Sequence, residues 1–234
     1  MKVLAIDSSG LVASVAIVTE DELLAEYTIN YRKTHSQTLL PMLDEIVKIT
    51  NIDLKDIDAI AISKGPGSFT GLRIGSATAK GLAMVLDIPI IPVATVDGLA
   101  YNLYKSDNVI CPLMDARRNQ VYTGLYKWID GEFKVLLEQR PLAIEEISEE
   151  INKIAEEVIF IGDGIKVFEN QLKETIKVNY SFAPAHLSRQ RAGAIGALGI
   201  KYYKKGIMTD ADEFVPTYLR MSQAERELAS KNKK

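Results

Sequence analysis

The order of apolar and polar positions divides the first half of the chain into short strands followed by amphipathic helices. Three brief apolar segments come first and are typical of a meander of strands. These predicted strands cover residues 2–9, 13–18 and 23–29. The pattern therefore places three strands before the first helix.

A first helix is indicated where apolar residues begin to recur at intervals of three and four. The repeat is formed by Leu39, Leu43, Ile46 and Val47. Thr34 and Gln37 stand before it at the spacing of a capping box. Because Pro41 has no amide hydrogen, we expect it to kink the helix or to move its start to Thr38.

The remaining elements of this half are two buried strands separated by a glycine-rich turn and a second helix. The strands are predicted at residues 58–63 and 89–93, and the helix at residues 70–86. A further helical stretch follows near residues 96–104. The first half thus has the pattern βββαβαβ.

The second half repeats this plan. Its three leading strands are predicted at residues 108–116, 120–128 and 132–138, and the later elements are a helix at 144–155, a strand at 158–162 and a long helix at 184–205. An aspartate ends the first strand of each half, at Asp7 and Asp115, and a glycine loop follows the fourth strand of each. We infer a duplication around a cleft.

The predicted fold class is α/β, with two ribonuclease H-like subdomains of βββαβα topology around a cleft, as in actin, Hsp70 and hexokinase (the ASKHA architecture). We assign residues 1–103 to the N-terminal subdomain and residues 104–205 to the C-terminal one. Residues 206–234 form a C-terminal segment that is expected to dock as far as about residue 220 and to be mobile beyond it.

Composition narrows the function classes. The chain has 234 residues, 47% of them hydrophobic, and a formal net charge of −3, which opposes nucleic-acid binding through its overall field.

Cys111 is the single cysteine, so no internal disulfide forms, and its apolar neighbours favour a buried thiol. The opening apolar run is too short for a signal peptide and no stretch approaches the length of a spanning helix. We expect a cytoplasmic protein without a membrane partner.

Metal chemistry is opposed by the histidine count. His35 and His186 are the only two histidines, and neither HxxxH nor HExxH occurs. A zinc protease is therefore excluded as the function. His35 lies at the start of the first helix, where an ordinary hydrogen-bonded role is favoured over catalysis.

The predicted cleft contains the candidates for nucleotide chemistry. Asp7 could hold Mg²⁺ or orient a water, or it could bond local amides in a turn. For Asp115 we favour a structural role in a hairpin connection. The cleft candidates are Asp7, Ser8, Gly65, Gly67, Asp115, Gly162 and Gly164. Neither the P-loop pattern nor GxGxxG is present, so this signal has low specificity.

Small residues recur every four positions in the second predicted helix. Gly71, Gly75, Ala79 and Ala83 fall on one face and leave a smooth track that another helix can approach closely. The spacing leaves two alternatives open. The track either packs against the chain's own first helix or forms a subunit interface.

Five strings together resemble the TsaB family. They are IDSSGLVASVAIV, HSQTLLP, GPGSFTGLRIGSATAKGLA, DARRNQVY and PTYLR, and the resemblance covers residues 1 to about 220. It implies a noncatalytic partner of TsaD, which transfers threonylcarbamoyl from threonylcarbamoyl adenylate to N6 of the adenosine beside the anticodon. It also implies association with the ATPase TsaE, contact with tRNA through the complex and a homodimer in isolation.

The resemblance also bears on individual residues. Aligned with TsaD, Thr95 and Leu99 replace the two histidines of its metal-binding HxxxH element, so no metal is expected. No cofactor is required, and any binding of ATP or ADP is expected to be weak or partner-dependent. The implied partner surface combines His35, Ser36, Leu39, Leu43, Gly71, Gly75, Ala79 and Ala83. On this basis Gly75→Leu is expected to weaken pairing far more than folding.

A second function from a different class stays open at this point. A stand-alone ATPase or small-molecule kinase of the ASKHA class would use Asp7 with the two glycine loops. It would need a second carboxylate in the cleft and a richer adenosine-binding loop than Gly162–Ile165 offers. Both signs are weak in this sequence.

Overall fold

The computed structural model describes residues 1–31 and 34–220. The N-terminal half contains β1 (Lys2–Asp7), β2 (Ala13–Thr19), β3 (Leu23–Ile29), α1 (His35–Thr50), β4 (Ala59–Ser63), α2 (Phe69–Leu86), β5 (Ile90–Val93) and α3 (Thr95–Tyr101). The C-terminal half contains β6 (Val109–Asp115), β7 (Gln120–Ile129), β8 (Glu132–Ala143), α4 (Ile144–Ile154), β9 (Val158–Ile161), α5 (Ile165–Thr175), β10 (Tyr180–Phe182) and α6 (Ala192–Lys204).

The two halves have the same sheet topology, which confirms the predicted fold class. The first sheet has the order β3-β2-β1-β4-β5 and the second the order β8-β7-β6-β9-β10. In each sheet the first three strands are antiparallel and the last two join in parallel. We refer to each sheet with its outer helices as a lobe.

The last helix of each half is exchanged between the lobes. Helix α3 packs on β6, β7 and β8 of the second sheet, whereas α6 packs on β1, β2, β4 and β5 of the first. The two helices also contact each other. The division between residues 103 and 104 therefore separates α6 in sequence from the sheet that it covers.

Three apolar clusters follow from this arrangement. One lies between the first sheet and the outer helices α1 and α2, and another lies between the second sheet and α4 and α5. The third joins the lobes through α3 and α6. Burial on both faces explains why β1, β4, β6 and β9 are continuous apolar runs.

Some predicted elements differ from the structure. Helix α1 begins at His35 and continues through Pro41, so the predicted start at Thr38 is wrong, and Thr34 forms no side-chain cap. The long helix predicted from residue 184 begins only at Ala192, whose amide donates to Ser14 Oγ at 2.8 Å. Contact with β2 therefore sets this start. Helix α5 and strand β10 were not predicted.

Residues 210–220 return to the N-terminal lobe after α6. Phe214 is buried, and the Lys80 ammonium donates to the carbonyls of Asp212 and Phe214. The predicted mobile end at residues 221–234 lies outside the described residues. No helix within residues 1–31 and 34–220 is long and apolar enough to cross a membrane.

Candidate functional site

A cleft of about 540 Å³ lies between the two lobes. Its N-terminal wall is formed by the loop after β1 and the start of α2, and its C-terminal wall by the β6–β7 connection and Asp163. Tyr218, Leu219 and Arg220 also line it. Of the predicted cleft residues, Gly67 and Asp115 line this cleft, and the C-terminal segment makes an additional contribution.

Asp7 is fully buried and bonds to its own surroundings. Its Oδ1 accepts from the Ser9 amide at 2.9 Å, from Ser9 Oγ at 2.6 Å and from Ser63 Oγ at 3.0 Å. Burial raises the pKa of Asp7 above its ordinary value, while the hydrogen bonds from Ser9 and Ser63 act in the opposite direction. These contacts favour the turn role, and Asp7 is not among the residues that line the cleft.

Asp115 occupies the equivalent place in the second lobe but lies on the cleft wall. Its carboxylate accepts from the Arg117 amide at 2.7 Å and from Arg117 Nη1 at 3.1 Å. Its own amide donates to Asp163 Oδ1 at 3.2 Å, and burial raises the pKa of Asp163. The structure thus brings a second carboxylate, Asp163, to the cleft beside Asp115.

The loop glycines are explained by approaches of the chain to itself. A Cβ at Gly65 would lie 2.2 Å from the Thr217 carbonyl oxygen, and one at Gly67 would lie 2.2 Å from that of Ser9. Gly65 also has a φ of +112°, which favours glycine. The missing side chains therefore accommodate backbone of this chain, and nucleotide binding in the cleft stays a prediction.

The second glycine loop has the same explanation. Cβ atoms at Gly162 and Gly164 would lie 2.2 Å and 2.9 Å from the Leu113 carbonyl oxygen, to which the Gly164 amide donates at 2.8 Å. Ser8 is likewise occupied, because its buried hydroxyl donates to the Gly71 carbonyl at 2.9 Å.

The predicted partner surface is wrong as drawn, because most of its residues are buried inside the chain. Only Ser36 is exposed; the buried members are His35, Leu39, Leu43, Gly71, Gly75, Ala79 and Ala83. A Cβ at Gly71 would lie 2.1 Å from the Ser8 carbonyl oxygen, and one at Gly75 would lie 2.3 Å from Ser8 Oγ. The track packs within the N-terminal lobe.

This packing also changes the expectation for Gly75→Leu. A leucine would collide with Ser8, on the turn that follows β1, and its Cβ would already be in van der Waals contact with Ile62 on β4. The substitution is therefore expected to disrupt the fold before it affects any partner.

The remaining predicted site residues are buried, and His35 also lines the cleft. His35 Nε2 is 2.9 Å from the Gly10 carbonyl oxygen, while its Nδ1 has no hydrogen-bond partner within the described residues. Thr95 is buried and its Oγ1 accepts from the Gly65 amide at 3.1 Å, and Leu99 belongs to the cluster that joins the lobes. Within residues 1–31 and 34–220, no three His, Cys, Asp or Glu residues group as a metal site.

Two features were missed at the level of sequence. Asp97 on α3 is a buried carboxylate that accepts from Tyr126 Oη at 2.7 Å and from Tyr202 Oη at 3.1 Å, joining elements of both halves. The signal that could have identified Asp97 is an isolated acidic residue within an apolar stretch. The other feature is the exposed side of α2, where Met84 is 61% and Val85 84% exposed.

The comparisons with known proteins agree with the observed fold. The family model for TsaD, the tRNA N6-adenosine threonylcarbamoyltransferase, matches residues 22–228. The tRNA threonylcarbamoyladenosine biosynthesis protein TsaB of Bacillus subtilis is 32% identical over 225 residues, which cover 96% of each chain.

Solved structures give the same assignment. YeaZ from Pseudomonas aeruginosa superposes with a TM-score of 0.80 at 27% identity, covering 93% of this chain and 99% of that one. A ROK hexokinase from Thermus thermophilus, at 11% identity and a TM-score of 0.50, covers 88% of this chain and 100% of its own and shares the fold. The chain belongs to the TsaB (YeaZ-like) family of tRNA threonylcarbamoyladenosine biosynthesis proteins, within the wider family that the TsaD model describes.

Proposed function

We propose that this chain is a noncatalytic subunit that binds a TsaD-type enzyme in the cytoplasm. In that complex it supports transfer of threonylcarbamoyl from threonylcarbamoyl adenylate to N6 of the adenosine adjacent to the anticodon of tRNA. The observation that carries the proposal is an apolar face on the helix pair α1 and α2 that is exposed among the described residues. A TsaE-type ATPase would join this complex, and tRNA would be reached through it.

The outer face consists of Leu40 on α1 and of Ala77, Gly81, Met84 and Val85 on α2. All five residues are exposed, and the four on α2 recur at helical spacing. Apart from its own helix, no described atom lies within 4 Å of a Cβ position at Gly81. Because glycine inside a helix costs about 0.5–1 kcal/mol relative to alanine, Gly81 is best explained by close approach of an external backbone.

The shared family model suggests which partner covers this face. A TsaD-type enzyme has a related sequence, so an equivalent helix pair on the enzyme would meet α1 and α2 in an approximately two-fold arrangement. The same geometry would let two copies of this chain pair through the outer face when the enzyme is absent. A homodimer in isolation is therefore part of the proposal.

The interior of the molecule supports a noncatalytic role. Thr95 and Leu99 stand where the resemblance places metal-binding histidines, and both are buried and packed. The Oδ1 atom of Asp7, which a kinase or ATPase would use, accepts hydrogen bonds from Ser9 and Ser63, and Asp7 does not line the cleft. These contacts weigh against the alternative of a stand-alone ATPase or small-molecule kinase.

A matched pair of exposed valines tests the docking face. Val85 lies on α2, whereas Val167 lies on α5 of the other lobe and is 59% exposed. We expect Val85→Arg to weaken association with a TsaD-type enzyme by at least about tenfold, because a charge is desolvated at the centre of the contact. Analytical ultracentrifugation measures this association, and threonylcarbamoyl transfer to tRNA should fall with it.

Val167→Arg is the control and should leave both readouts unchanged. Equal behaviour of the two variants would contradict the assignment of the outer face. Transfer to tRNA by the chain alone, without the enzyme, would contradict the noncatalytic role.

Nucleotide binding has its own experiment. We propose that the chain requires no cofactor and binds ATP or ADP weakly or only with its partner, because backbone of the chain fills the glycine loops. Titration of ATP into the isolated chain, then into its complex with a TsaD-type enzyme, separates the two functions. Tight binding with turnover by the isolated chain would favour the kinase or ATPase.

A further inference from the structure

The segment formed by residues 214–220, which we call the strap, is fixed along the N-terminal lobe. Phe214 is buried in the cluster beneath α1 and α2. The Thr217 amide donates to the Lys64 carbonyl at 2.7 Å. The ring of Tyr218 lies 4.4 Å from that of Phe69, at the start of α2. These contacts hold the strap against one wall of the cleft.

The end of the strap reaches the opposite wall. Arg220 Nη1 donates to the Ala116 carbonyl and, at 3.2 Å, to the Arg117 carbonyl in the β6–β7 connection. Leu219 packs on the apolar cluster that joins the lobes. The strap therefore connects the two cleft walls directly.

The connection that Arg220 holds has an unusual backbone. Arg117, Arg118 and Asn119 are three consecutive non-glycine residues with φ values of 64°, 56° and 57°. Left-handed conformations of such residues are unfavourable and need support from their surroundings. The hydrogen bonds from Arg220 to the Ala116 and Arg117 carbonyls, at the start of this connection, supply such support.

The lobes also meet away from the strap. There, α3 and α6 form the shared cluster, and the Gln139 side-chain amide donates to the Gly65 carbonyl at 3.4 Å. This packed contact is suited to act as a hinge, while the strap bridges the two cleft walls. We propose that the strap is a latch that holds the lobes together across the cleft and that Arg220 is its releasable end.

The chemistry of the Arg220 contact makes it releasable. Its acceptors are neutral backbone carbonyls, whereas a guanidinium bonds more strongly to a carboxylate or phosphate with two oxygens. Such an anion in the cleft would compete for Arg220 and free the β6–β7 connection. This inference concerns the isolated chain and does not depend on the proposed partner.

Distance measurements between the lobes test the latch. Thr70 and Lys166 are exposed on the first turns of α2 and α5. Thr70→Cys and Lys166→Cys can carry spin labels, because Cys111 is buried and burial raises its pKa to about 12. Dilution with unlabelled chain removes distances between copies. Pulsed electron resonance then gives the distance distribution within one molecule.

We expect Arg220→Ala to shift this distribution to longer distances and to broaden it. Arg220→Lys should do so partially, because a flexible lysine side chain loses more conformational freedom than the planar guanidinium when it bonds the same carbonyls. Arg118→Ala is the matched control, since it removes an exposed arginine of the same connection that has no hydrogen bond or ion pair to the strap within the described residues. It should match the wild type.

Hydrogen exchange provides a second measurement on the same variants. The amides of Arg117 and Gln120, which bond to Asp115 and to the Arg117 carbonyl, should exchange faster in Arg220→Ala. The Thr217 amide should stay protected, because its anchor on the N-terminal lobe is intact. Unchanged distances and unchanged exchange in Arg220→Ala would overturn the latch.

Discussion

The inner and outer faces of α2 both carry glycine, yet their surroundings differ. On the inner face, a Cβ at Gly75 would lie 2.3 Å from Ser8 Oγ. On the outer face, a Cβ at Gly81 would meet no described atom within 4 Å beyond its own helix. The glycines of the regular track are thus explained by contacts within the chain. Gly81 has no such explanation among the described residues, and we propose that it marks the side that a partner covers.

The largest effect expected from this comparison is that of Gly75→Leu. The added side chain would overlap Ser8 in a packed region, so the free energy of unfolding should fall by about 3 kcal/mol or more. Urea unfolding followed by circular dichroism measures the loss. Gly81→Leu is the matched control and should show no loss of stability, because its side chain meets open space and leucine has a higher helix propensity than glycine. Equal losses in both variants would contradict the distinction between the faces.

Asp7, at the end of β1, should make the stability of the folded chain depend on pH. Because burial raises the pKa of Asp7, the folded state binds its proton more tightly than the unfolded state does. Its contribution to stability is therefore present at low pH and declines as the pH rises from about 3.8 through the raised value. Asp97 and Asp163 add declines of the same sign.

Asp7→Asn keeps an acceptor oxygen for Ser9 and Ser63 but cannot ionise. Urea unfolding at several pH values between 4 and 7 should show a shallower decline of stability in this variant than in the wild type. Asp115→Asn, at the equivalent strand end on the cleft wall, is the comparison. A decline as steep in Asp7→Asn as in the wild type would contradict the assignment.

The smallest predicted effect is that of Gly81→Ala on the isolated chain. Alanine has the higher helix propensity and finds open space here, so stability should rise by about 0.5–1 kcal/mol. Thermal unfolding at a concentration where the chain is monomeric measures this gain. A loss of stability would mean that the outer face is already covered by the chain itself.

Most of the fold was predictable because each sheet is buried on both sides. Continuous apolar runs therefore marked β1, β4, β6 and β9 with little ambiguity. Helix α5 was missed because only Phe168 and Leu172 are buried in an otherwise polar segment, and β10 because it has three residues. With these two elements included, the second half repeats the first element by element.

The site was less predictable because spacing does not identify the contacting partner. The four-residue repeat in α2 indicated a close approach, but the approaching group is Ser8, more than sixty residues earlier in the chain. The loop glycines resembled a phosphate cradle for the same reason, since Thr217 and Ser9 supply the backbone that they accommodate. Long-range packing of this kind leaves no local periodic signal.

The exchange of α3 and α6 has a consequence for synthesis on the ribosome. The first sheet is complete once residue 93 has been made, but the helix that covers one side of it ends at Lys204. More than one hundred residues are added while Val3, Ala5 and Val18 still lack that cover. The amino-terminal half of the nascent chain is consequently a candidate for binding by chaperones. Folding of both lobes can be completed only after nearly the whole chain has been synthesised.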